Sequence, residues 1–145
     1  MKSQDFNCSI TANVTAEEAM DAISKVATWW EKDITGVAEK LNDEFTVHFS
    51  QESFVKFKIT EFIPETKVVW AVTDCYLPWF NNKTEWTGTN IIFVISTENN
   101  QTIMHFTHKG LVPQVECYEM CVKGWTQYIP GSLLKLLTER VGQPA

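Results

Sequence analysis

The chain has 145 residues, of which 44% are hydrophobic and 12% are aromatic, and its formal net charge is -6. Folding at this length buries roughly two thirds of the unfolded surface, which is enough for one well-packed domain. The acidic balance argues against nucleic acid and anionic membranes as partners, because binding to either depends on Lys and Arg facing phosphates. We therefore expect a single domain over residues 1–145, with no nucleic-acid partner and no membrane insertion.

The sequence also carries signals about location and redox state. Its N-terminal segment lacks the apolar run of a signal peptide, and no stretch approaches the ~18 apolar residues of a membrane span. These features predict a cytoplasmic protein. In a reducing compartment, free thiols are expected at all four cysteines: Cys8, Cys75, Cys117 and Cys121.

The first part of the chain changes from a strand pattern to a helix pattern at Thr15. Residues 5–14 have period-2 alternation, with one parity formed by Phe6, Cys8, Ile10 and Ala12. Thr15 and Glu18 then have the spacing of a capping box, which predicts that a helix begins there. Trp29 and Trp30 end this helix or form a short second one, and residues 33–39 are a weaker strand candidate.

Five further strands are predicted between residues 45 and 109. Their alternating apolar positions are Phe45, Val47 and Phe49; Val55, Phe57 and Ile59; Val69, Ala71 and Thr73; Ile91, Phe93 and Ile95; and Met104 and Phe106. Most of the links are short and polar, which suits hairpins and not parallel crossovers, so an antiparallel meander is expected. The exception is the segment at residues 76–86, a long aromatic connection that we expect to cover a pocket.

The C-terminal part of the chain has a helical pattern after Pro113. Apolar residues spaced by three and four include Tyr118, Cys121, Trp125 and Ile129, which predicts the longest helix of the chain. An interior proline removes a hydrogen bond and crowds the preceding turn, so Pro130 predicts a kink near residues 126–129.

Strand, helix, antiparallel strands and a long last helix together predict an α+β fold. Several short motifs occur in a fixed order along almost the whole chain: residues 28–30 (TWW), 62–64 (FIP) before 68–70 (VVW), 88–89 (GT), 106–111 (FTHKGL), 124–125 (GW) and 132–134 (SLL). In this order they resemble the START-like superfamily (SRPBCC, Bet v 1-like). The closest likeness is to the activator of Hsp90 ATPase homologue 1-like group.

The resemblance implies a helix-grip fold, in which a curved antiparallel sheet wraps around a long C-terminal helix, with two short helices near the N-terminus. It also implies a cavity between sheet and helix, which relatives use for lipids, hormones or polyketides. Fold alone does not define function. The eukaryotic co-chaperone uses a further N-terminal domain, so the resemblance is weak support for a chaperone partner.

The polar residues do not form a recognisable catalytic motif, so no catalytic residue, cofactor or metal is predicted. His108 shares its strand parity with Met104 and Phe106, and could orient a ligand from the pocket wall. The alternative, which we favour, is a histidine whose hydrogen bonds are satisfied within the core or at the rim of the pocket. Cys117 and Cys121 lie one helical turn apart and could bind zinc with a histidine, but the same spacing is typical of packed thiols, which we favour.

The aromatic residues are the strongest indication of a binding site, because small-molecule pockets are mostly apolar. The expected function is non-enzymatic binding of a small hydrophobic or amphipathic molecule. The alternatives are a chaperone-associated interaction module and a polyketide cyclase-like enzyme, and the sheet edges leave homodimerisation open. The predicted ligand-binding residues are Trp30, Phe57, Trp70, Tyr76, Trp79, Trp86, His108, Tyr118, Cys121 and Trp125.

Overall fold

A computed structural model describes residues 5–144 of the chain; residues 1–4 and 145 lie outside the described part. The strands are β1 (Phe6–Ala12), β2 (Ile34–Gly36), β3 (Glu44–His48), β4 (Phe54–Ile63), β5 (Lys67–Tyr76), β6 (Asn90–Glu98) and β7 (Gln101–Lys109). The helices are α1 (Ala16–Ser24), a short 3-10 turn (Val26–Thr28), α2 (Tyr118–Thr126), a π-helical stretch (Gln127–Leu133) and α3 (Leu134–Glu139). Together they form the expected α+β fold.

The strands form one sheet in the order β1-β7-β6-β5-β4-β3-β2, in which every neighbouring pair is antiparallel. The chain therefore runs as a meander from β2 to β7, and β1 pairs with the far edge at β7. The β6–β7 hairpin turns at Asn99 and Asn100, which both have positive φ (53° and 66°). Asparagine tolerates this conformation, which suits a tight two-residue turn. The predicted antiparallel meander is confirmed.

The predicted start of α1 is also confirmed. The Glu18 amide donates to the Thr15 hydroxyl at 3.0 Å, and the Thr15 amide donates to the Glu18 carboxylate at 3.3 Å. These reciprocal bonds satisfy amides that have no partner within the helix. Ahead of them, β1 buries Ile10 and Ala12, on the parity that the sequence indicated.

The prediction for β5 was correct as a strand but wrong about its buried face. Val68, Trp70 and Val72 point to the core, whereas Thr73 is exposed. Five consecutive apolar residues blur the alternation, and the β4–β5 register skips Thr60 and Thr73, so two bulges change the facing of the side chains. A single-strand pattern cannot reveal such bulges.

The C-terminal helix runs from Tyr118 to Glu139 and passes Pro130 in a π-helical stretch, so the prediction that it does not end at this proline is confirmed. Pro130 lies inside this stretch. The wider i→i+5 winding accommodates a residue that has no amide to donate. Trp125, Ile129, Leu133 and Leu137 are buried, so the predicted apolar stripe faces the sheet throughout. No helix within residues 5–144 is long and apolar enough to cross a membrane.

Candidate functional site

Packed aromatic rings fill most of the space between the sheet and the C-terminal helix. The ring centroid of Trp125 lies 4.8 Å from Trp30 and 4.7 Å from Phe106. Trp70 is fully buried, and its centroid lies 4.9 Å from Phe45 and 5.1 Å from Phe93. The resemblance implied a ligand cavity at this place, but these rings occupy it.

A small apolar cavity of about 130 Å³ remains where the 77–86 loop meets the C-terminal helix. We call this cavity the aromatic crevice. It is lined by Trp30, Phe49, Leu77, Trp79, Phe80, Trp86, Met120, Cys121, Gly124, Trp125 and Tyr128. The loop supplies one wall, the helix supplies another, and the core supplies the floor.

The loop wall combines buried and exposed residues. Leu77 and Phe80 are buried and attach the loop to the core. Trp79 is 48% exposed, and its ring centroid lies 6.3 Å from Phe49 and 6.0 Å from Phe80. A half-exposed tryptophan supported by two rings forms the outer wall of the crevice, which agrees with a loop that covers a pocket mouth.

The structure divides the predicted ligand-binding residues into groups. Five of them line the aromatic crevice: Trp30, Trp79, Trp86, Cys121 and Trp125. Phe57 and Trp70 lie in the closed core, and Tyr76, Tyr118 and His108 are not part of the lining. The sequence reasoning missed Gly124 and Tyr128, although both continue the Cys121 face at helical spacing and could have been found from it.

His108 is fully buried, and both of its ring nitrogens have partners. The indole N–H of Trp125 donates to Nδ1 at 3.0 Å, so Nδ1 is the acceptor and Nε2 carries the proton. Nε2 then donates to the Thr89 hydroxyl at 3.0 Å, and this hydroxyl donates to the Trp86 carbonyl at 2.6 Å. Burial lowers the pKa of His108 to about 3, against the opposing charge of Asp5.

This network makes His108 a hydrogen-bonded core histidine and not a ligand contact. A neutral imidazole without a free nitrogen has no group to offer a ligand, and the ring stands behind the crevice wall. The His108 ring is nearly perpendicular to Trp86, at a centroid distance of 4.7 Å, and accepts a hydrogen bond from Trp125. His108 therefore positions two of the tryptophans that line the crevice, Trp86 from the loop and Trp125 from the helix.

Two carboxylates fasten the crevice loop to the start of the C-terminal helix. Glu85 accepts from the amides of Glu116 and Cys117 at 3.0 and 3.1 Å. Glu116 in turn accepts from the amides of Asn81 and Asn82 at 2.8 and 3.1 Å, and these bonds lower its pKa. Both oxygens of Glu85 therefore bond to the backbone.

Replacement of Glu85 by Gln should loosen this connection. An amide side chain has one acceptor oxygen and carries no charge, so one amide at the start of the helix loses its partner. We expect a loss of about 1 kcal/mol in the free energy of unfolding, as for other helix caps. Denaturant unfolding measures this loss. The control is Glu119→Gln, because Glu119 is exposed on the same helix. Equal stability of the two variants would contradict the role of Glu85.

Cys117 and Cys121 form a hydrogen-bonded thiol pair beside the crevice. The Trp86 indole N–H lies 3.3 Å from the Cys117 sulfur. Hydrogen bonds from Cys121 and Trp86 lower the pKa of Cys117, whereas the bond to Cys117 and burial raise that of Cys121. Within residues 5–144, no cluster of three His, Cys, Asp or Glu side chains could hold a metal. The zinc alternative therefore has no third ligand there.

The seven-stranded antiparallel sheet and the long C-terminal helix across it form a helix-grip fold. No protein-family model and no curated protein matches the chain. Solved structures do match: the Aha1 dimer from Colwellia psychrerythraea is 23% identical with a TM-score of 0.72, over 92% of this chain and 95% of that one.

Two further structures confirm the same fold at lower identity. Protein MLL2253 from Mesorhizobium loti is 12% identical, with a TM-score of 0.70 over 95% of this chain and all of that chain. DynU16, from the dynemicin biosynthetic locus, is 11% identical with a TM-score of 0.67, and the match covers 94% of this chain but 48% of that one. These likenesses show the fold that the sequence motifs led us to expect.

Proposed function

We propose that this domain binds a small hydrophobic or amphipathic molecule in the aromatic crevice, without catalysing a reaction. The observation that carries the proposal is an apolar cavity of about 130 Å³ whose outer wall is the half-exposed Trp79. Ordinary small-molecule pockets measure about 300–1,000 Å³. The crevice therefore suits one ring or a short aliphatic chain, with any polar group of the ligand at the solvent edge.

The crevice lining supports binding better than catalysis. Its ionisable side chains are Cys121 and Tyr128. The pKa of Cys121 is raised by its bond to Cys117 and by burial, and that of Tyr128 is raised by burial and by Glu31. Both groups are thus held in their neutral forms, which are poor nucleophiles and bases. A cyclase-like activity would need a further proton-transfer group from the substrate or solvent.

A protein-interaction module is the second candidate. Met120 is 59% exposed and Trp79 is 48% exposed, and both lie at the rim of the crevice. Large apolar groups beside a small cavity are typical of a surface that receives a side chain from a partner. The similar Aha1 protein is described as a dimer, so a second copy is one such partner. We propose a cytoplasmic location under either candidate function.

Thermal unfolding in the presence of a library of aromatic acids, short fatty acids and metabolites tests the first candidate. A ligand that binds only the folded state raises the melting temperature by mass action. The same compound should change the tryptophan fluorescence, since four tryptophans line the crevice: Trp30, Trp79, Trp86 and Trp125. Absence of any stabilising compound, together with a dimer in sedimentation experiments, would favour the interaction module.

Gly124 provides a matched pair of variants for the crevice. A Cβ placed at this helical position meets no atom within 4 Å. Gly124→Ala should therefore stabilise the protein by about 1 kcal/mol through helix propensity and leave ligand binding intact. Gly124→Leu should project a side chain into the crevice and weaken binding at least about ten-fold, because the volume is small. Unchanged affinity in the leucine variant would place the ligand elsewhere.

A further inference from the structure

A second and larger cavity, of about 320 Å³, lies at the other end of the β4–β5 hairpin. The crevice end of this hairpin is marked by the pair Phe54 and Tyr76, and the opposite end by Ile63 and Lys67. Strands of this length extend over about 30 Å. The second cavity is therefore separate from the aromatic crevice and cannot share a small ligand with it.

This second cavity has an apolar floor and an acidic rim. Helix α1 contributes Met20 and Ile23 to the floor, and the hairpin contributes Phe62 and Val68. The acidic residues of the lining are Glu17, Asp21, Glu39 and Glu65, and no Lys or Arg lines the cavity. We call this feature the acidic groove.

Most of the charge in the acidic groove lacks a counterion. Asp21 pairs with Lys25 at 2.9 Å on the solvent side. Within residues 5–144, Glu17, Glu39 and Glu65 take part in no ion pair. The carboxylates come from three separate parts of the chain, so they surround the floor and do not follow one helix face.

Part of the apolar lining of the groove is open to solvent. Phe62 is half-buried and Pro64 is exposed, and both line the groove. A partner that covers these side chains would gain stability from their burial. An apolar partner alone would bring the unpaired carboxylates into a drier environment without compensation, which is unfavourable. The partner that suits this surface carries positive charge around an apolar centre.

We propose that the acidic groove binds a basic amphipathic peptide segment of another protein. A large apolar side chain of the segment packs against Phe62 and Met20, and flanking Lys or Arg side chains reach Glu39 and Glu65. The affinity for such a peptide should fall as the salt concentration rises, because ions screen salt bridges at an exposed rim. The same charge repels an anionic bilayer.

Fluorescence anisotropy with a short labelled peptide, in which Phe and Leu are flanked by lysines, tests the proposal. The double variant Glu39→Lys/Glu65→Lys should weaken its binding about ten-fold or more, because two attractions become repulsions. The matched control Glu52→Lys/Glu119→Lys makes the same change of net charge at exposed sites outside the groove lining. It should retain nearly the full affinity.

Further peptides and a second measurement make the outcomes decisive. Peptides with Glu in place of Lys, or Ser in place of Phe and Leu, should bind at least about ten-fold more weakly. Equal binding of the three peptides, or equal losses in both double variants, would overturn the proposal. So would a dimer in sedimentation experiments that only Glu39→Lys/Glu65→Lys dissociates, because the groove would then hold a second copy. Circular dichroism confirms that each variant is folded.

Discussion

Replacement of Trp125 by Ala should lower the free energy of unfolding by about 3–5 kcal/mol, the cost of removing a large ring from a packed core. Its ring contacts Trp30, Trp86 and Phe106, and its N–H bonds to His108. The substitution would leave a void among these rings and an unpaired buried acceptor on the histidine. Denaturant unfolding, analysed with a constant m-value, measures the effect.

The comparison variant is Trp79→Ala. Trp79 is 48% exposed, so its loss should cost less than about 1 kcal/mol. A much larger loss of unfolding free energy in Trp125→Ala than in Trp79→Ala indicates a filled interior, whereas similar losses indicate a wide ligand cavity. If Trp125→Ala lowered the free energy of unfolding no more than Trp79→Ala, the rings could not form a close-packed core. A larger ligand inside the domain would then fit the data better.

Acidification should destabilise this protein through His108. Its pKa is about 3 in the folded state and about 6.5 when unfolded, so the unfolded chain binds a proton that the folded chain excludes. The stabilising effect is complete above the pKa of His108 in the unfolded chain. It is lost as the pH falls towards the pKa of His108 in the folded protein. Between about pH 7.5 and about pH 5 the free energy of unfolding should fall by roughly 2 kcal/mol.

His108→Gln isolates this contribution. The glutamine oxygen can accept from Trp125 and its amide can donate to Thr89, but the group does not titrate. We expect lower stability at neutral pH and a flatter pH dependence than in the parent protein. His105→Gln is the control, since His105 is exposed.

Three carboxyl groups with shifted pKa values also contribute in acid. The lowered pKa values of Glu18 and Glu116 give stability that is lost only below their ordinary range near pH 4.5, and the raised pKa of Glu31 gives the opposite slope. All three groups remain in the His108→Gln variant, so their effects cancel in the comparison with the parent protein. An unchanged slope in His108→Gln would rule out His108 as the source of acid sensitivity.

The binding proposals concern opposite ends of the β4–β5 hairpin. The aromatic crevice offers a small apolar cavity beside Trp79, and the acidic groove offers a larger apolar floor with unpaired carboxylates. Gly124 lies on α2 and Glu65 in the turn between β4 and β5, so a variant at either position should affect one site. The two experiments can therefore succeed or fail independently.

The sequence determined the order of the elements because local patterns decide it. The Thr15–Glu18 capping box and the apolar stripe through Ile129 act over one or two helical turns, and the structure has both. The antiparallel meander followed from short polar links, which cannot hold crossovers. These features depend on neighbours in the chain, so they can be predicted without coordinates.

The tertiary structure decided which aromatic residues form core and which form a site. Trp70 and Trp86 are both buried and look alike in the sequence, yet the first is enclosed in the core and the second lines the crevice. His108 shares the inward parity of Phe106, but only packing brings Trp125 and Thr89 to its two nitrogens. Such contacts join residues that are distant in the chain. No local period encodes them, so the filled interior and the acidic groove emerged only when the elements were packed together.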